Sequence, residues 1–518
     1  MAWARAVSRC IAAPRPTSIF RRNKLPSYSF CKPGHHVGRS AGCFVLAALA
    51  TAFGVVNSAS ANGGSATWLV APKNGAWMPN GSNANWSSGG GNFPGTAGTT
   101  TNTDVATFLT SNTTTISQNV STLNLESIEF GVSGSTPSAF TLGTTAGNAF
   151  LLSSGGHVSI LSGVTGSVTE TINAPIVLEP ATSSTAGAYT FSNNSSSDLL
   201  NFGGGITGGT TSSSVTLTLS GSNTGNNTVS GAIGNGAASG GVTVTKSGTG
   251  TWVLTGTNAY TAGTAVGGAT NGGTLLVNNT TGSGTGTGNV TVNGSGTTLG
   301  GTGTISGQVM VGNTTPGAII NPGPSGANGT SASVGTLTTG ALTLTGADTF
   351  HADAFGTPTA DWDKLISTGA INLGTALSTL QVSIASGLTF TPNTVYTLLS
   401  GTSLSGTFAG ITNNQLVTES GYEFIAQYTS TGFDLEAVPE PSTWVAGALA
   451  LGAVGYMQLR RRSRAGSRSP ARDESPSDPP NFTSSLAIGI SLNNRLSVTS
   501  YRLPGVASQT SDVRGYTS

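Results

Sequence analysis

Between Val242 and Val277 the chain alternates apolar and small polar residues at a period of two, and glycine or asparagine interrupts the alternation every few residues. The unit reads Val242-Thr-Val244-Thr-Lys246-Ser-Gly248-Thr-Gly250-Thr-Trp252-Val-Leu254-Thr-Gly256-Thr-Asn258-Ala-Tyr260-Thr-Ala-Gly263-Thr264-Ala-Val266 and closes on Gly273-Thr-Leu275-Leu-Val277. Residues two apart share one face of a strand, so this pattern predicts short, half-buried strands. The glycines supply the positive φ and tight turns between them. One such unit cannot bury its apolar face alone, whereas stacked neighbours complete both the core and the hydrogen-bond ladder.

Related patterns run through residues 115 to 437. Val215-Thr-Leu217-Thr-Leu219-Ser-Gly221-Ser-Asn223 precedes the unit, and Leu299-Gly-Gly301-Thr-Gly303-Thr-Ile305 and Ile320-Asn321-Pro322-Gly323 follow it. The expectation is an all-β chain: a right-handed parallel β-helix, or β-solenoid, over 115–437, with Asn258 in a side-chain ladder at a corner. A β-sandwich, or a pair of them, built from similar short strands is the alternative. Residues 62–114, with Trp68, Trp77 and Trp86, read as an N-terminal cap over the first rung, because an uncapped end invites edge pairing.

Charge divides the chain into three zones. Residues 1–61 hold eight Lys and Arg and no acid, residues 62–459 hold three lysines (Lys73, Lys246, Lys364) against fifteen acids, and residues 460–518 hold nine arginines against four acids. A body without arginine has no surface to neutralise phosphates, which argues against a nucleic-acid partner. The 76 glycines and the low charged fraction of 8% suit disorder by composition, but the regular apolar punctuation does not.

Cys43 to Val56 reads as the apolar core of a signal peptide, with Ser58-Ala59-Ser60-Ala61 as its cleavage region, so residues 1–61 are expected to be removed. All three cysteines, Cys10, Cys31 and Cys43, precede that site. The exported protein is therefore expected to lack disulfides and to rely on packing and its backbone ladder.

Near the other end, Val438-Pro439-Glu440-Pro441 is followed by an uncharged run, Ser442 to Leu459, and then by Arg460-Arg461-Arg462. As a helix the run extends about 27 Å, close to the roughly 30 Å hydrocarbon core of a bilayer. A single transmembrane helix is expected over 438–462, with the arginines holding its end in the cytoplasm. Residues 463–518 read as a basic tail rich in Ser, Pro and Arg, without folding pattern.

The trio at Val438, Pro439, Glu440, Pro441 and Arg460, Arg461, Arg462 resembles the PEP-CTERM sorting signal of exported bacterial proteins. That resemblance implies processing by a membrane-embedded exosortase-type enzyme, transient association with the inner membrane, and delivery to the cell surface or an extracellular polysaccharide matrix. An ordinary C-terminal anchor is the alternative. The unit at 242–278 is similar to the autotransporter-associated β-strand repeat at Lys246, Gly248, Gly250, Leu254, Gly256, Asn258, Tyr260, Gly263, Thr264 and Leu275. It departs at Ala262, where glycine is usual, and at the insertion around Gly268-Ala269-Thr270-Asn271.

No catalytic, metal or cofactor site is expected. His157 and His351 stand nearly two hundred residues apart, and no Gly-x-Ser-x-Gly elbow occurs; Ala237-Ala-Ser239-Gly-Gly241 is a near miss. The reading is a structural or adhesive exported protein. The alternative is a polysaccharide-degrading β-helix enzyme, for which paired carboxylates are needed. Its candidates are Asp361 with Asp363, which as i and i+2 on a strand would face one side, and Asp348 with Asp353.

Overall fold

The computed structural model describes residues 64–180, 186–209, 214–324, 334–438 and 441–465. The expected signal segment, Pro439, Glu440 and tail residues 466–518 lie outside the described residues. Apart from a three-residue 3-10 turn at Thr359–Asp361, the described chain up to Ala437 consists of strands and loops. The single α-helix among the described residues is Pro441–Ala465.

Up to Ser403–Ser405, successive strands do not pair with each other. Val242–Lys246 enters a 17-stranded sheet and Thr251–Leu254 an 11-stranded one; Thr264–Gly267 then returns to the first and Thr274–Val277 to the second. Each pairs in parallel with the strand one circuit away, so Val244 meets Thr264 and Trp252 meets Leu275. From Thr304–Ile305 onward a third, seven-stranded sheet joins the circuit. The chain is all-β with long parallel sheets, an architecture compatible with a β-solenoid.

Register follows from the alternation. Val244, Thr264, Val290, Val309, Leu342 and Ile371 stand in one column across successive circuits. All six are buried, while Thr243 and Thr245 beside Val244 are only half-buried. A one-residue slip would turn every apolar side chain outward, and burial of each Val or Leu contributes about 1.5–3 kcal/mol, so register is strongly specified.

At the N-terminal end Trp68, Trp77 and Trp86 pack edge to face, with ring centroids 5.0 Å (Trp68–Trp86) and 4.7 Å (Trp77–Trp86) apart. Each indole N–H finds a main-chain carbonyl: Thr113, Pro94 and Trp77 respectively. The first strands are closed by backbone, since Thr67 accepts from Ser87 N and Ser117 pairs with Gly75 and Trp77.

The C-terminal end is built differently. Gln415–Glu419, Tyr422–Tyr428 and Gly432–Ala437 run antiparallel to one another, and Gly432–Ala437 pairs antiparallel with Val395–Ser400. Trp362, Phe390, Tyr396 and Phe424 form an aromatic cluster there, with Trp362 stacked on Tyr396 at 4.2 Å.

The expected transmembrane helix needs correction. The helix forms over 25 residues, but no helix among the described residues is long and apolar enough to cross a membrane. Ala446, Gly447, Ala448, Ala450, Gly452, Ala453 and Gly455 bring little apolar area, Gln458 is polar, and Arg460 ends the run.

Candidate functional site

The residues of the 242–278 unit converge on main-chain groups. Lys246 points inward from its strand and has no exposed surface. Its Nζ lies within hydrogen-bond distance of the carbonyls of Ser247 (2.8 Å), Gly248 (2.9 Å) and Gly272 (2.6 Å); the ammonium form donates to all three and the neutral amine to two of them. Burial pushes its pKa down to about 7. Gly248 has a φ of +68°, and a Cβ there would lie 2.6 Å from the Gly221 carbonyl oxygen, so this position favours glycine on both counts. Gly250, Gly256 and Gly263 pack against the main chain of Asn223, Gly231 and Asn289.

Tyr260 is buried with its hydroxyl 2.6 Å from Thr264 Oγ1, and Leu254 and Leu275 fill the core. Asn258 does not join a ladder of stacked amides. Its Oδ1 accepts from Ile233 N at 2.7 Å and its Nδ2 donates to Gly284 O at 2.5 Å, which ties the circuits on either side through their backbones. A side-chain amide network does occur, at Asn193, Asn223 and Asn227.

The acids behave in the same way. Asp348 Oδ1 accepts from Gly317 N and Ala318 N, and Oδ2 from Gly346 N. Asp363 Oδ1 accepts from Gly335 N at 2.6 Å and Oδ2 from Asp353 N at 2.9 Å. Glu170 Oε2 accepts from Phe140 N at 2.8 Å. All three are fully buried. Burial raises the pKa of both Glu170 and Asp363 to about 8.

This placement corrects the paired-carboxylate geometry. Asp361 sits at the end of the 3-10 turn, half-exposed, whereas Asp363 lies buried under two main-chain donors, so the two do not share a strand face. Asp348 and Asp353 are likewise without exposed surface. At least one carboxyl of each pair is therefore buried, whereas a glycosidic bond must lie between two reachable carboxyls.

The histidines acquire partners that sequence spacing did not show. His157 Nδ1 lies 2.8 Å from Ser127 Oγ and its Nε2 lies 3.1 Å from Glu129 Oε1, because Ser127 and His157 are direct partners on adjacent strands and Glu129 follows at i+2. With Nε2 protonated toward Glu129, Nδ1 accepts the serine hydroxyl, the order of a nucleophile, its base and an orienting carboxylate. Ser127, however, has no exposed surface. His351 is buried between Asn321 Oδ1 (3.1 Å) and Ser383 Oγ (2.9 Å), with Asp353 Oδ1 at 4.0 Å. Burial holds it below the ordinary imidazole range against the opposing pull of Asp353. Among the described residues no cluster of three or more His, Cys, Asp or Glu is placed to hold a metal ion.

Of the C-terminal motif, Val438 donates its N–H toward Glu423 O and Pro441 opens the helix. From Leu449 to Arg462 every helix residue is exposed, including Leu451, Tyr456, Met457 and Leu459. Arg460 stands over the Tyr456 ring at 5.7 Å, and Arg461 and Arg462 face solvent.

Compared with known proteins, the chain matches no family model and no curated protein.

Proposed function

We propose that this chain is an exported structural or adhesive protein, a right-handed β-solenoid delivered to the cell surface or an extracellular polysaccharide matrix by its C-terminal segment. The junction at Ala437–Pro441 carries the reading. A stacked β body stops there, and a helix begins that is solvent-exposed from Leu449 to Arg462 and carries Arg460, Arg461 and Arg462 near its far end. A helix whose Leu449, Leu451, Tyr456, Met457 and Leu459 are exposed suits a segment recognised by other machinery, here an exosortase-type processing enzyme at the inner membrane.

The body supports a non-catalytic role because Lys246, Glu170, Asp348 and Asp363 hold main-chain groups in place. Its outward positions on Val215–Gly221 and Val242–Lys246 are threonines and a serine, a long neutral polar surface suited to hydrogen bonding with polysaccharide.

The test is fractionation of expressing cells with C-terminal peptide mapping of the surface material. A mature end near Pro441 in the surface fraction is expected. A full-length product that retains Arg462 and stays with the inner membrane overturns the reading.

A further inference from the structure

The strand Thr379–Ile384 is the last of the 11-stranded sheet, and its outer edge is covered in an unusual way. A free edge normally exposes a row of N–H and C=O groups that template pairing with another chain. Here side chains fill the places of a next strand. Glu419 Oε2 accepts from Val382 N at 3.1 Å, Ser420 Oγ accepts from Ile384 N at 3.1 Å, and the same hydroxyl donates to Val382 O at 2.8 Å. Tyr422 Oη then accepts from Leu388 N at 3.0 Å.

These groups form the tip of one hairpin. Glu419 pairs with Tyr422 across a two-residue loop in which Ser420 has a φ of +49° and Gly421 one of +87°. Two positive φ values match the hairpin twist, but serine holds the left-handed region at a cost that glycine avoids. A serine here forgoes local comfort and supplies the hydroxyl that meets two main-chain groups of the last strand. At the N-terminal end backbone pairs carry most of the closure, helped by one comparable contact in which Thr67 N donates to Ser87 Oγ at 2.9 Å.

We propose that the hairpin tip Glu419–Tyr422 is a stopper, and that the edge it covers is a strand-pairing site for a second copy of this chain. The outward residues Thr379, Gln381 and Ser383 carry no charge, so two such edges meet antiparallel without like-charge repulsion across a two-fold axis. The stopper keeps the protein from joining end to end while its sheets remain open along their faces.

The experiment uses the full-length chain in mild detergent with Cys10, Cys31 and Cys43 replaced by serine. Single cysteines are placed at Thr379, Gln381 or Ser383, with and without Glu419→Ala/Ser420→Gly. Opening the stopper is expected to raise disulfide-linked dimer at one of these positions by about tenfold or more. Thr245→Cys, on a central strand, is expected not to respond. Ser420→Gly alone removes the hydroxyl and relieves the backbone, so it decides the matter if the double variant loses its β circular dichroism. Equal dimer yields with and without the stopper, or an equal rise at Thr245→Cys, overturn the proposal.

Discussion

Lys246 Nζ lies 2.6 Å from the carbonyl oxygen of Gly272, twenty-six residues onward and in the next circuit, and within hydrogen-bond distance of the carbonyls of Ser247 and Gly248 in its own turn. Lys246, the one buried lysine among the described residues, thus fastens two circuits through main-chain oxygens. Lys246→Met keeps the apolar stem and leaves those carbonyls unsatisfied. Its expected cost is about 2–4 kcal/mol of stability, read as the guanidinium midpoint.

Lys246 also sets a pH dependence. Its folded pKa is about 7 against an ordinary value of 10.5, so unfolding takes up a proton between these values. This contribution to stability is fully present above pH 10.5 and is lost as pH falls toward 7. The difference in midpoint between the protein and Lys246→Met is expected to widen as pH rises through that window; a constant difference refutes the assignment.

Glu170 runs the other way. Burial lifts its carboxyl from 4.5 to about 8, so it folds as the neutral acid. Its contribution is fully present below pH 4.5 and is lost as pH rises through 8. Glu170→Gln keeps an acceptor for Phe140 N and cannot ionise. Near-equal stability at pH 5, and a variant more stable than the parent at pH 9, are expected from denaturant titrations.

Asn258→Ala removes an acceptor from Ile233 N and a donor from Gly284 O, both buried. Two orphaned main-chain groups cost about 2–4 kcal/mol. Amide exchange is expected to accelerate at Ile233 while sheets distant from residue 258 keep their protection.

Ser127 is aligned with His157 and Glu129 yet sealed. A fluorophosphonate probe is expected to leave Ser127 unlabelled in the folded protein. Labelling abolished by both Ser127→Ala and His157→Ala would make this trio an active nucleophile and restore an enzymatic reading.

The strand pattern was legible in the chain because it is local. Val242, Val244 and Lys246 alternate with Thr243 and Thr245, and the structure places them on opposite faces. Gly248 was legible for the same reason, since its turn is specified within a few residues. Asn258 was legible as a corner residue, but its partners were not: an amide satisfies another amide or two peptide groups equally well, and the register decides between them. The apolar run after Pro441 was legible as a helix, whereas its glycines and alanines left it short of the apolarity that a membrane span needs.

The charged residues were the least legible. Asp361 and Asp363 look alike in sequence, but a 3-10 turn leaves the first half-exposed and buries the second under Gly335 N and Asp353 N. Glu419 and Ser420 carried no signal, because their partners Val382 and Ile384 lie 37 and 36 residues away. Sequence alone determined that this chain forms short strands with defined inward faces and that its body is acidic and free of arginine. Tertiary structure alone decided what each charge does and how the last strand is closed. Alternation acts between residues two apart, whereas the partners of Lys246, Asp348 and Glu419 lie 26, 31 and 37 residues away, brought to hydrogen-bond distance only by the register of stacked circuits.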